Sequence, residues 1–482
     1  MLLAIAGAAA ILTVLTGLFT VAYRWEQLHV ASEFINVFHA AQLADGSALY
    51  REVGPEVWSF PVYFPGVYLL LAPLTWITGT DAIWLERLAA LAALIGTGWL
   101  AAWIAERLGA SRPFAILSGL SLATFIPVVF VVGVVRPDPF ALVAAAGALA
   151  LVTKWEDEGG ARLLVAAAVL CAIVILIRQV YAPIPAALIV AVFLWDRRAA
   201  LVMALGVGAA VVAGLGLTEA LSDGNFREDQ EAFTQLFNLG SFREVVVSQL
   251  IPPNPVYFVA AGVCWVHLVR RRDARAVHLA WLGAGVACLA AVKVGSSGNY
   301  FLPLMFASAA LFGPGLEEAR AALSPRWVRR LWIATAVLLV PGALLAAYRA
   351  VEFQISASPL RSEYRAAVER IEASEGRVLG DRFDLLLAAD RTPDYEPLLV
   401  SQMIDTGERE FPELLDGVRQ GRFQLIQTSF DLEDDVPGYN GLKFWPQSVA
   451  DEMKASYCEA WNDDHVWLYE PCTAGGRGRV ST

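Results

Sequence analysis

The sequence predicts a polytopic α-helical membrane protein with a small soluble α/β unit at its C-terminus. Three observations carry that reading. Apolar residues fill 57% of 482 positions, against about 45–50% in soluble domains, and the mean hydropathy is +0.53. Apolar runs of about 20 residues, the length that crosses a bilayer, recur through the first 350 positions. The formal charge of −11 is concentrated at one end: residues 351–482 hold 13 basic and 25 acidic side chains, whereas residues 1–350 hold 23 and 22. A membrane body over 1–350 and an acidic, water-soluble tail over 351–474 follow, with 475–482 expected to be disordered. No face is strongly basic, so nucleic acid is excluded as a partner.

The apolar runs lie at about 2–23, 61–78, 82–105, 113–132, 138–153, 163–178, 181–195, 199–219, 252–269, 277–293, 300–314 and 331–350. The first lacks a basic leader and is long for a signal-peptide core, so it reads as a retained helix. Short loops rich in Lys and Arg face the cytoplasm. Arg270–Arg275, the segment ending in Arg326, Arg329 and Arg330, and Arg197-Arg198 agree on one side. Counting backwards leaves 61–78 as the odd run. Pro61, Pro65, Gly66 and Pro73 disfavour a straight spanning helix there, so it reads as a re-entrant or juxtamembrane element. Eleven crossings result, with the N-terminus inside and the tail outside. The inner loops then carry 14 Lys and Arg and the outer loops before the tail 7.

Residues 31–66 are the first polar interruption. On a helix, Ser32, Glu33, Asn36 and His39 share an arc of about 120°, while Phe34, Val37, Phe38 and Ala41 lie on other faces. That predicts an interfacial amphipathic helix, its polar side toward water or a cavity. Three further charged groups fall on the same outer side: Arg136-Pro137-Asp138, Arg178-Gln179, and Lys293 ahead of Asn299-Tyr300. Charges at membrane-buried positions are costly and commonly pair or line functional cavities. Arg and Lys bind phosphate oxygens, and a carboxylate can take a proton from a hydroxyl. Such a set suits a lipid-linked phosphate whose tail stays in the bilayer.

In order along the chain, Ser32-Glu33 with Asn36, Gly46–Tyr50, Tyr63-Phe64-Pro65, Arg136-Pro137-Asp138, Arg178-Gln179 and Gly298-Asn299-Tyr300-Phe301 resemble the GT-C superfamily of integral-membrane glycosyltransferases. That group contains aminoarabinose transferase, protein O-mannosyltransferases and oligosaccharyltransferases. The resemblance implies a transferase using a polyprenyl-phosphate sugar donor at the extracytoplasmic face of a bacterial plasma membrane. It maps Glu33 onto the first-loop acid, a base or acceptor-orienting group, and Asp138 onto the second outer acid. On this reading Arg178 and Lys293, with Arg136, stabilise the departing phosphate. Asn299, Tyr300 and His39 position the sugar, and Asn36, Tyr63 and Gln179 complete the binding set. Many members carry paired acids in the first loop, whereas here Glu33 stands between Ser32 and Phe34. No firmly bound cofactor is therefore expected, with a divalent cation left open.

The outer segment 220–251 has helical periodicity, and Phe226, Phe233, Leu236 and Phe237 could cover the cavity. In the tail, Ser362–Ser374, Phe411–Gln420 and Trp445–Tyr457 read as helices; Arg377–Asp381, Phe423–Thr428 and Val466–Tyr469 read as strands, giving a small α/β domain without a catalytic motif. Asp431 to Asp435 is a solvated charge run. Of five cysteines, Cys171, Cys264 and Cys288 lie in apolar runs, while Cys458 and Cys472 could pair in an oxidising compartment. The rival to a transferase is a secondary transporter or a flippase for lipid-linked sugar. Transporters commonly carry internal repeats, and none is visible here.

Overall fold

The computed structural model describes residues 1–472 except 23–30, 53, 55–58, 60, 80–82, 233–238, 248–254, 272–274, 294–297, 408, 440–441 and 464. The expected disordered end at 475–482, the Gly295–Ser297 loop and the side chains of Phe233, Leu236 and Phe237 lie outside the described residues.

Proline and sequence breaks set many helix starts. The membrane body comprises α1 (Leu2–Ala22), α2 (Ala31–Ala44), α3 (Gly66–Thr78), α4 (Trp84–Arg107), α5 (Arg112–Ser121), α6 (Ile126–Val131), α7 (Pro137–Glu158), α8 (Ala161–Ile177), α9 (Pro183–Trp195), α10 (Arg197–Leu221), α11 (Asn225–Ala232), α12 (Leu239–Val245), α13 (Pro255–Arg271), α14 (Ala276–Cys288), α15 (Leu302–Ala322) and α16 (Pro325–Ala373). Proline stands in the first turn of α5, α6, α7, α9, α15 and α16, where its missing N–H has no partner to lose. Asp196 starts α10 by accepting from the N–H groups of Arg198 and Ala199 at 2.8 and 3.1 Å.

Among the described residues five helices are long and apolar enough to cross a membrane: α1, α4, α7, α10 and the Pro325–Val351 part of α16. Their outward residues, such as Ile95, Trp99, Leu205 and Val212, are exposed, which suits lipid rather than water. The run at 113–132 is not one helix. Phe125 is extended ahead of Pro127, so the chain breaks into α5, a 3₁₀ turn at Leu122–Thr124, and α6. The run at 61–78 forms only the 13-residue α3. That is about 20 Å of helix, short of the roughly 30 Å hydrocarbon core. The separate helix expected at 362–374 is part of α16, a single 49-residue helix that runs on through residue 350.

The C-terminal unit is built from β1 (Arg377–Gly380), α17 (Phe383–Ala388), α18 (Pro397–Thr406), α19 (Pro412–Arg419), β2 (Phe423–Thr428), the short β3 (Gly438–Tyr439) and β4 (Leu442–Lys443) hairpin, α20 (Gln447–Ser456), β5 (Tyr457–Asn462) and β6 (Trp467–Pro471). Its main sheet has the order β1-β2-β6-β5, with β1 parallel to β2 and the remaining pairs antiparallel. Cys458 and Cys472 are disulfide-bonded across the β5–β6 pair. Strand residues alternate between two cores, as a period of two requires. Val378, Leu425 and Leu468 join the core of the membrane helices. Leu379, Ile426 and Tyr469 join a second core with α18, α19 and α20. Helix α17 packs against both α16 and α2, so the sheet is seated on the first-loop helix.

That seating corrects one expectation. Helix α2 is not a one-sided interfacial helix: Glu33, Asn36 and His39 are buried, and so are Ile35, Val37 and Phe38. With α3 and α17 both packed against α2, its polar residues face protein rather than open water.

Candidate active site

Two buried ion pairs join the helix ends near the first loop. The first joins Glu33 of α2 to Arg87 in the first turn of α4. Arg87 Nε and Nη2 donate to Glu33 Oε1 and Oε2 at 3.1 and 3.3 Å, and neither side chain is exposed at all. Glu33 Oε1 also accepts from the Val135 N–H at 2.8 Å, and Arg87 Nη1 donates to the Thr20 carbonyl at 3.0 Å. The pair thereby ties α1, α2, α4 and the turn before α7 together. Gly133 in that turn has φ +71° and lies against Gly17, where a Cβ would meet the Gly17 carbonyl oxygen at 2.8 Å. Glycine is needed on both counts.

The second pair sits three residues beyond Val135. Arg136 is extended, Pro137 opens α7, and Asp138 falls in its first turn, where the helix dipole favours a negative charge. Arg178 ends α8 in a non-helical conformation, and the 3₁₀ turn that follows carries Tyr181. Arg178 Nε lies 3.2 Å from Asp138 Oδ1. The Tyr181 hydroxyl donates to Oδ1 at 3.1 Å, and Asn299 Nδ2 donates to Oδ2 at 3.0 Å. The Arg178 guanidinium is also stacked over Tyr63 and Tyr300, 4.9 and 5.1 Å from the ring centroids. Lys293 is half-buried, close enough to Arg178 for mutual repulsion, and has no ion-pair partner among the described residues. Asp138 balances one of these two cations, so the cluster keeps an excess positive charge.

Residues from the first loop frame this cluster. The Tyr50 hydroxyl donates to the Tyr63 carbonyl at 2.7 Å, and the Tyr63 N–H donates to the Tyr68 hydroxyl at 3.4 Å. Phe226 of α11 lies edge-on to Tyr50 and Phe64, at 4.9 and 5.8 Å, so the outer segment does cover this loop. Gly66 lets α3 begin directly on the end of α8, since a Cβ there would meet the Leu176 backbone at 2.7 Å. His39 contacts Gln42 through Nδ1 at 3.3 Å, and its ring meets Tyr68 edge-on at 6.0 Å. Burial, with Arg51 nearby, lowers the His39 pKa to about 3 despite the Gln42 contact, so the ring is neutral.

The structure thus brings Tyr63, Asp138, Arg178, Lys293, Asn299 and Tyr300 together, with Gln179 next to Arg178 in the same turn and Arg136 capping α7. Glu33, Asn36 and His39 line α2 instead. Glu33 is joined to the Asp138 cluster through the 135–138 turn, by the bond it accepts from the Val135 N–H. Sequence reasoning missed Arg87, Tyr181 and Tyr68. For Arg87 a signal existed, because an arginine opening an apolar run needs a carboxylate. Among the described residues no three His, Cys, Asp or Glu gather into a metal-binding group. The two outer acids each carry an arginine, a donor set that does not fit a divalent ion.

No family model matches the chain, and no curated protein does. Solved structures do match. The aminoarabinose transferase ArnT from Cupriavidus metallidurans in the apo state shares 13% identity at a TM-score of 0.63, covering 94% of this chain and 95% of that one. ArnT bound to undecaprenyl phosphate gives 14% and 0.61, with 98% of both chains covered. The archaeal oligosaccharyltransferase AglB from Archaeoglobus fulgidus, in complex with an inhibitory peptide and a dolichol-phosphate, gives 12% and 0.57, covering 97% of this chain and 74% of that one. The chain is an integral membrane protein that shares the fold of these structures.

Proposed function

We propose that this protein is a glycosyltransferase that moves a sugar from a polyprenyl-phosphate donor to a hydroxyl-bearing acceptor at the outer face of a bacterial plasma membrane. On this reading the eleven helical runs other than α3 cross the bilayer, and the C-terminal unit stands outside over the site. The observation that supports it most is the Arg178–Lys293 pair, one cation in excess, beside Asp138 at the helix ends of a GT-C fold.

Each group then has a chemical task. Arg178 and Lys293 receive the donor phosphate and stabilise the charge that builds on it as the sugar leaves. Phosphate competes with Asp138 for Arg178 and frees one acceptor position on Oδ1, the oxygen that also accepts from Tyr181. That oxygen orients the acceptor hydroxyl and takes its proton as the hydroxyl oxygen attacks the anomeric carbon. The bond to phosphate breaks with its electron pair on the phosphate oxygen. Tyr181 and Asn299 hold Asp138 in place, while Tyr63 and Tyr300 hold Arg178. Glu33, favoured as the base from the sequence, has both oxygens engaged by Arg87 and no exposed atom. We therefore assign it a positioning role for the 132–138 turn.

The test is direct. Membranes containing the protein are given polyprenyl-phosphate sugars, and release of polyprenyl phosphate is measured. Wild type releases it and Asp138→Asn lowers the rate by at least about 100-fold, the scale of losing a positioned proton acceptor. Movement of intact donor across the membrane without release overturns the reading in favour of a flippase.

A further inference from the structure

The C-terminal unit places one unusual side chain against the first loop. Glu396 precedes Pro397 at the start of α18. Its side chain does not cap that helix. It is 6% exposed, and its Oε2 has no hydrogen-bond partner. A buried carboxyl oxygen without a partner is destabilising, so its retention calls for a use. The surroundings point one way. Val62, next to Tyr63, packs on the core of the C-terminal unit. Glu396 lies near enough to the Tyr68 hydroxyl to act on it electrostatically, alongside Tyr50 and Tyr63.

A second unsatisfied atom adjoins the same ring. His39 meets Tyr68 edge-on, and its Nε2 is buried without a partner. With Nδ1 donating to Gln42 Oε1, Nε2 is left as an acceptor. Tyr68 in turn bonds the backbone of Tyr63, whose ring covers Arg178. Two buried polar atoms without a partner among the described residues, one from the membrane body and one from the C-terminal unit, therefore lie in the neighbourhood of Tyr68, which is bonded to the residue that covers Arg178.

We propose that Glu396 and His39 form the acceptor subsite, binding a neutral, hydroxyl-rich group such as a glycan end. The chemistry selects that class. Neither group carries the positive charge that a second phosphate would call for, and a carboxyl with one imidazole nitrogen is too few ligands for a structural metal. A hydroxyl both donates and accepts, which fits an imidazole acceptor and a carboxyl together. The C-terminal unit is then part of the enzyme's specificity rather than an appendage. This inference rests on the transferase reading above.

The experiment uses the full chain in nanodiscs and in membranes. Undecaprenyl phosphate is titrated onto wild type and Glu396→Gln. Transfer from undecaprenyl-phosphate mannose, glucose and galactose is measured across a dilution series of host membranes, which supply the acceptor. Glu396→Gln is expected to bind undecaprenyl phosphate like wild type. It should need at least about 10-fold more acceptor membrane for half-maximal transfer, the scale of one hydrogen bond, and Glu396→Asp should recover part of that loss. Equal acceptor dependence in wild type and Glu396→Gln overturns the inference. Loss of undecaprenyl phosphate binding in Glu396→Gln also overturns it, because the residue is then structural. If wild type binds no undecaprenyl phosphate and releases none from any donor, the transferase reading itself fails and the subsite with it.

Discussion

Each of the two outer acids sits in a buried ion pair, and the pairs do different work. Breaking a buried pair by removing one partner costs about 3–5 kcal/mol, whereas replacing both with apolar groups can be nearly neutral. Glu33→Gln is therefore expected to destabilise the protein on that scale, measured by thermal unfolding in nanodiscs. The double variant Glu33→Gln/Arg87→Met should recover much of the loss and should restore transfer along with it. A proton acceptor would not be rescued by removing its arginine, so a double variant that is stable but inactive would return the base role to Glu33. At the phosphate end, Lys293→Met should weaken undecaprenyl phosphate binding by about 10- to 100-fold, because a charged hydrogen bond contributes roughly 1.5–3 kcal/mol. Much of this was legible in the sequence at the level of single residues. Asp138, Arg178, Lys293 and Asn299 stood out because charge and amide groups are rare at the rim of apolar runs. Tyr181 and Tyr68 did not, since an aromatic residue beside an apolar run looks like core until its hydroxyl is seen to have a partner.

At the scale of elements, local breaks were readable and continuity was not. The prolines around 61–73 foretold the short α3, and the strand pattern of the tail located β1, β2 and β6 because alternation is a property of a few neighbouring residues. The 49-residue α16 was read as two elements because its apolar stretch ends near 351 while its helix does not, and polarity marks the solvent rather than the helix end. Gly66 is the element-level test of how the first loop meets the site. Gly66→Ala forces a Cβ toward the Leu176 backbone, so α3 must lift from the turn that carries Arg178. Transfer should fall while undecaprenyl-phosphate-independent folding of the tail, followed by hydrogen exchange in β2, stays unchanged. The Cys458–Cys472 bond closes a loop with a sequence separation of 14. In the chain-entropy account such a loop contributes about 3 kcal/mol, so Cys458→Ser/Cys472→Ser should speed exchange in β5 and β6 without altering exchange in α7.

Across the whole molecule, the charge asymmetry that divides membrane body from tail also sets the pH response of the structure. The tail is acidic overall, yet two of its buried carboxyls, Asp381 and Glu396, hold their protons above the ordinary carboxylate range. Asp381 ends β1 and accepts from Ser429 and Gln427; burial raises its pKa to about 6 against the pull of those bonds and of Arg382. Burial alone raises Glu396 to about 8. Ordinary carboxyls titrate near 4. The folded tail therefore holds protons that the unfolded chain gives up, and unfolding releases protons between about pH 4 and pH 8. Stability follows the proton balance: these two groups stabilise the fold fully below about pH 4, and the contribution is lost as the pH rises through 6 and then 8. Hydrogen exchange in β2 and β6 of the full chain, corrected for intrinsic rates, should show less protection at pH 8 than at pH 6. Glu396→Gln should flatten that upper step, because a glutamine has no proton to lose. Protection that instead rises from pH 6 to pH 8 in the wild type would mean that both carboxyls are ionised in the folded tail, with compensating cations beside them.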